Sequence, residues 1–298
     1  MARKIVEADL PKVTKLCKEI IGEDYLKIER LGGLTNRTYR VGVSKDKEYI
    51  VRIPGEGTEE IIERENEKKS TKLACSLGID AKLLYFGKDG SKVTEYIPEA
   101  ITMSADDLKE ETYIKQVAEI FISLHLCNKD TGVPFEVFDM AAEYERFIYD
   151  KQVSMYTDYA DIRKMVTKIK DEIDSTCEIK KVPCHNDPLC ENWVVGKGKM
   201  YLVDWEYAGM NDSMWDLADV SIEAGYEHIH DEKLLSEYYG RKPTKSDWKH
   251  FWASKIYVDY LWTLWAKARV PYDGQAMEEW ALERYARLKK NICILKNI

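Results

Sequence analysis

The sequence predicts an α+β chain of two lobes. The N-terminal lobe, residues 1–97, is built on an antiparallel sheet, and the larger C-terminal lobe, residues 98–298, is mostly helical. Three observations carry this. Runs of alternating apolar and β-branched residues, punctuated by Gly turns, fill most of the first hundred positions. Apolar residues at helical spacing dominate the remainder. At 298 residues and 45% hydrophobic content, the chain is also long enough to divide a large core in two.

The elements follow in order. Residues 5–21 carry apolar positions at helical spacing and predict an opening helix. YLKIERLGGLTNRTYRVGV and KEYIVRIPG predict strands, with Gly32-Gly33 turning the chain between the first two. Residues 58–77 predict a charged helix stopped at Gly78. AKLLYFG and SKVTEYI are two further strands joined at Lys88-Asp89-Gly90. Beyond Pro98, residues 106–128 and 140–176 are helical in pattern, WVVGKGKMYLVDWEY is a hairpin, and the chain is helical and rich in Trp and Tyr from Met214 onward.

Composition narrows the function classes. A net charge of −8 argues against a nucleic-acid partner and suits a cationic small substrate, though solubility alone would also explain it. The seven Cys form no C-x-x-C and no zinc-ligand set, and without a signal peptide they predict reduced thiols in a cytoplasmic protein. No stretch is long and apolar enough to insert in a membrane.

The chemistry concentrates in HNDPLCEN, residues 185–192, and YLVDWEY, residues 201–207. His185-x-Asp187-x-x-x-x-Asn192 has the form of a kinase catalytic loop. Phosphoryl transfer from ATP needs an acceptor hydroxyl aligned with the γ-phosphate, a carboxylate to take its proton, and Mg²⁺ to neutralise developing charge. Asp187 suits the base. Asn192 and Asp204 supply the hard oxygens that Mg²⁺ prefers. Upstream, Gly32, Gly33 and Asn36 lie where a phosphate-covering loop belongs, although the full glycine signature is absent. Arg52 offers a cation on the following strand, with Glu65 or Glu67 as its helix partner.

LGGLTN, YIVRIPG, HNDPLCEN, LVDWEYAGMNDSMWDLA and LWTLWAKAR together resemble the choline/ethanolamine kinase family, most closely the bacterial choline kinases of LicA type, within a larger group that includes the aminoglycoside phosphotransferases. The resemblance runs nearly the whole length. It implies a protein-kinase-like fold, use of ATP and Mg²⁺ with the nucleotide held between the lobes, and phosphorylation of choline to phosphocholine. It implies Asp187 as base, Asn192 and Asp204 as metal ligands, Arg52 on the phosphates, and Glu67 as the partner of Arg52. Glu95 to Ile97 would form the hinge whose backbone faces adenine. Pro188 and Cys190 depart from the residues usual at their motif positions.

A quaternary ammonium such as choline has no N–H donors and is held by aromatic faces and carboxylates. Trp262 and Trp265 share a helical face. A Trp pair at this spacing is ordinarily core. The resemblance places it in the acceptor pocket instead, with Tyr285, Glu206, Tyr207, Glu223 and, more weakly, Tyr226. It gives Asp216 a supporting role behind the catalytic loop and His125 a structural one, and leaves Asp259 either in the pocket or paired with a neighbour. Other acceptors (ethanolamine, thiamine, an aminoglycoside, a sugar) and a non-catalytic binding protein are the competing expectations. The oligomeric state is not expected from sequence.

Overall fold

The computed structural model describes residues 4–32, 36–55 and 63–298. The chain forms two compact units. The first comprises Met1–Met103 and Glu191–Ala208; the second comprises Ser104–Cys190 and Gly209–Ile298.

The first unit is organised by an antiparallel sheet of order β1-β2-β3-β5-β4, formed by Lys27–Gly32, Asn36–Ser44, Lys47–Pro54, Lys92–Glu95 and Leu83–Phe86 respectively. Period-two patterning sets its faces. Tyr39 and Val41 on β2, Val51 and Ile53 on β3, and Val93 on β5 are buried together against Val13, Leu16 and Cys17. The last three come from helix α1 (Leu10–Leu16) and the π-helical turn Cys17–Ile21 that continues it. Arg52 alternates with Val51 and Ile53 and so points from the opposite face; it lies in register with Thr38 and Lys92. Helix α2 spans Arg64–Ser76, and its buried residues Arg64, Glu67, Ser70, Thr71 and Ala74 recur at three- and four-residue steps, a single face. A small second sheet, β6-β8-β9 (Ile101–Thr102, Trp193–Gly196, Lys199–Leu202), contains the expected hairpin and completes the unit.

The second unit is helical. Helix α3 (Glu111–His125) buries Ile114, Val117, Ala118, Phe121, Leu124 and His125, an amphipathic stripe. The stretch expected as one helix over 140–176 is two, α4 (Val137–Asp150) and α5 (Tyr159–Thr176). The chain leaves the helical region at Gln152, whose φ is +55°. Strands β7 (Lys181–Cys184) and β10 (Gly209–Asp212) pair antiparallel, a ladder too short to announce itself in the sequence. Helix α6 is Ser213–Glu223 and α7 is His228–Tyr239. Helix α8, Lys245–Asp273, starts with a capping box of Thr244 and Asp247 and is buried along most of Phe251–Ala268. It packs against α4, α6 and α9 (Gln275–Leu295), which is why residues on nearly every side of it are buried, Lys255, Asp259 and Lys267 among them. Among the described residues no helix is long and apolar enough to cross a membrane.

Candidate active site

In the first unit, charge gathers around Arg52. Its side chain is almost fully buried, an arrangement tolerable only with close partners. Nη1 donates to Asp204 Oδ1 at 3.1 Å, Nη2 donates to the Gly90 carbonyl at 2.9 Å, and Glu67 closes a further ion pair. Burial would lower the Arg52 pKa, but the carboxylates of Glu67, Asp204 and Glu206 outweigh it and hold the guanidinium firmly charged. A second arginine, Arg64, donates Nη1 to Glu67 Oε2 at 2.7 Å and to Glu206 Oε1 at 2.6 Å. Nothing in the sequence distinguishes Arg64 from the surface charges of its helix; its three-residue spacing to Glu67 is the sole hint.

Asp204 follows β9 with φ +69°, a left-handed conformation that Asp tolerates better than most residues. Its carboxylate remains about one-third exposed, and Arg52 occupies only Oδ1. The Val203 N–H donates to the Asn192 carbonyl at 2.9 Å, so the turn carrying Asn192 is tied to the residue beside Asp204. The carboxylates of Glu67, Asp204 and Glu206 also lie within 4.8 Å of one another. Glu67 and Glu206 are held closely by arginines, whereas Asp204 meets Arg52 through Oδ1 alone, so its carboxylate would still offer an oxygen to a divalent cation, with the Asn192 amide as a second hard donor. The acid–amide set thus fits Mg²⁺.

The other nucleotide-lobe expectations are placed as follows. Gly32 ends β1, opposite Thr38. Gly33, with Leu34 and Thr35, lies outside the described residues. Asn36 opens β2, and neither atom of its buried amide has a hydrogen-bond partner among the described residues. The Glu95 N–H donates to the Lys82 carbonyl at 2.9 Å and its carboxylate pairs with Lys82, so Glu95 spends its backbone donor within the sheet. Ile97 is buried, and its side chain crowds Gly196 so closely that no Cβ would fit there.

In the second unit, Asp216 organises the loop that starts at His185. Its Oδ2 accepts the His185 N–H at 2.8 Å and its Oδ1 the Asn186 N–H at 2.7 Å. His125 Nε2 meets Oδ2 at 3.0 Å, with Tyr238 on the far ring nitrogen. Asn186 takes φ +66°, its carbonyl accepts from Trp215 Nε1 and its Oδ1 from Asn211 Nδ2. The residue presented after this pinned turn is Asp187.

The aromatic series of this unit begins at Trp215, which meets Trp262 edge-on at 6.5 Å; Trp262 meets Trp265 at 6.0 Å, and Trp265 meets Trp280 at 6.0 Å. Over the Trp280 face, 3.9 Å from its centroid, lies the guanidinium of Arg284, which also pairs with Glu223. The sequence reasoning missed Trp280 and Arg284. Tyr285, expected in the pocket, donates its hydroxyl to Asp158 at 2.8 Å and stacks on Tyr156 at 4.2 Å. Tyr226 donates to the Leu108 carbonyl at 2.6 Å. Asp259 is bound by Arg287 through two nitrogens, at 2.7 and 3.0 Å. Glu206 and Tyr207 belong to the first unit, where Glu206 is engaged by Arg64, so no single unit holds the whole expected acceptor set.

A family model for choline/ethanolamine kinases matches residues 28–264. The chain belongs to the choline/ethanolamine kinase family. Protein LicA of Haemophilus influenzae is 27% identical over 262 residues, 85% of this chain and 76% of LicA. A choline/ethanolamine kinase family protein of Mesorhizobium loti superposes with a TM-score of 0.83 at 30% identity, covering 95% of this chain and 94% of that one. The choline kinase LicA of Streptococcus pneumoniae superposes with a TM-score of 0.79 at 30% identity, covering 95% and 99%. This family membership makes the chain a phosphotransferase acting on a small molecule, with the kinase-like fold the sequence led one to expect.

Proposed function

We propose that this kinase transfers the γ-phosphoryl group of ATP to the hydroxyl of choline, giving phosphocholine. The observation that carries the choice of acceptor is Arg284. A cation already rests on the Trp280 face against Glu223, within the Trp262–Trp265–Trp280 series. Such a site is built for a weakly hydrated cation, and a quaternary ammonium is one.

The residues divide the work. Arg52 steadies the phosphates, and Glu67 fixes its guanidinium from behind. Asn192 and Asp204 hold Mg²⁺, which neutralises charge on the phosphate oxygens when bound. Asp216 grips the backbone of His185 and Asn186 and thereby aims Asp187, which accepts the proton of the acceptor hydroxyl. Trp262, Trp265 and Glu223 receive the ammonium.

The test is ADP release with ATP, Mg²⁺ and, separately, choline, ethanolamine, thiamine and kanamycin, run beside Asp187→Asn. Turnover on choline that falls by about 10²–10⁴ in the variant is expected for loss of a positioned base. Turnover on thiamine or kanamycin alone would keep the kinase and remove choline. Turnover unaffected in Asp187→Asn would remove the base.

A further inference from the structure

Helix α6 carries three acids one turn apart, Asp216, Asp219 and Glu223. The first is spent on the catalytic loop and the last on Arg284. The middle one has no such employment. Asp219 is 1% exposed, and neither of its carboxylate oxygens has a hydrogen-bond partner among the described residues. Glu223, Arg284, Asp187 and Asp216 are the charges that act on it, and the three- and four-residue steps along α6 put it on one helix face with Asp216 and Glu223. Arg284 is only partly satisfied by its bond to Glu223. Its Nε and Nη1 make no hydrogen bond among the described residues, and its one close carboxylate there besides Glu223 is Asp259 at 3.6 Å. Two buried, opposite charges short of hydrogen bonds in one place describe a site awaiting a polar guest.

We infer that Asp219 is a specificity-determining residue of the acceptor site, one that reads N–H donors on the ammonium and so lets a primary amino alcohol compete with choline for the site. This rests on the kinase reading above. The physical reason is the difference between the two heads. A quaternary ammonium satisfies Trp faces and Glu223 by charge alone and offers Asp219 no hydrogen bond. A primary ammonium offers three donors. A buried acceptor raises the relative affinity of a ligand able to use it, because a ligand without donors leaves it unpaired. Burial pushes the Asp219 pKa well above the usual carboxylate range and Glu223 adds to it, so its charge is costly there without a cationic partner, which a bound ammonium would supply.

The test compares wild type with Asp219→Leu, which keeps the volume and removes both acceptors, and with Asp219→Asn, which keeps one. kcat/KM for ethanolamine and for choline is measured, alongside calorimetric binding of each and a thermal melt. The expected result is a loss of tenfold or more in the ethanolamine-to-choline ratio in Asp219→Leu, smaller in Asp219→Asn, in turnover and binding alike. An unchanged ratio overturns the inference, including when both acceptors weaken together with a lowered melting point. Should wild type bind both amines but phosphorylate neither, the kinase reading fails, and the binding ratio alone still decides for or against Asp219.

Discussion

At the scale of single residues, buried charge decides most of what this protein tolerates. Asp80 is the clearest case. Burial raises its pKa from 3.8 to about 6; Lys92 and the Ala81 N–H lower it, but not enough to compensate. A carboxyl whose folded pKa is raised stabilises the fold while protonated. Its contribution is complete below about pH 4 and is lost as pH rises through about 6. Asp80→Asn keeps an acceptor for the Ala81 N–H without the charge. The expected outcome is a variant more stable than wild type by up to about 3 kcal/mol at pH 8, the gain vanishing below pH ~4, in urea titrations at each pH. A gain independent of pH would contradict it. The same buried ion pairs mark the limit of the sequence. Asp187, Asn192 and Asp204 stand out through local spacing, and so does Arg52 through its place on a strand. Arg64, Asp219 and Arg284 do not, because a charged residue on a helix looks alike in sequence whether it meets water or a carboxylate far along the chain.

At the scale of elements, α2 acts as a clamp on the turn that bears Asp204. Arg64 grips Glu67 and Glu206 together, and Ser70 reaches the Ala208 carbonyl at 3.4 Å. Removing Arg64 takes the close partner from Glu206 and leaves Glu67 with Arg52 alone, both carboxylates being nearly inaccessible to solvent. Arg64→Ala is expected to cost about 3–5 kcal/mol in urea unfolding, the usual penalty for breaking a buried pair. Arg64→Lys should recover only part, since an ammonium lacks the planar fork. Full recovery by Lys would show that charge alone suffices. Elements were legible where period and punctuation agree. β1 to β5 alternate cleanly between Gly and Pro stops, and α3 carries an unbroken stripe. The break between α4 and α5 was not legible, because Gln152 is no helix stopper, yet it turns left-handed in the closing turn of α4, where the Val153 N–H donates to the Ile148 carbonyl at 3.0 Å. Nor was the β7–β10 ladder, whose partners are separated by a loop and a hairpin.

At the scale of the whole molecule, the first unit is assembled from two pieces of chain, and the second piece brings Asn192, Asp204 and Glu206. A polypeptide ending at Met103 would leave β6 unpaired and Arg52 and Arg64 short of their carboxylates. It is expected to show no cooperative thermal transition, whereas the same polypeptide joined through a short Gly linker to residues 191–208 should regain one. A cooperative melt of the first piece alone would sink this account. The discontinuity matters on the ribosome. Roughly a hundred residues of helical chain must be synthesised after the five-stranded sheet before its missing partners emerge, a wait of about 5–20 s at typical rates of ~5–20 residues per second. During that interval the nascent sheet carries two buried-type arginines with Glu67 alone to neutralise them, a natural point for chaperone capture.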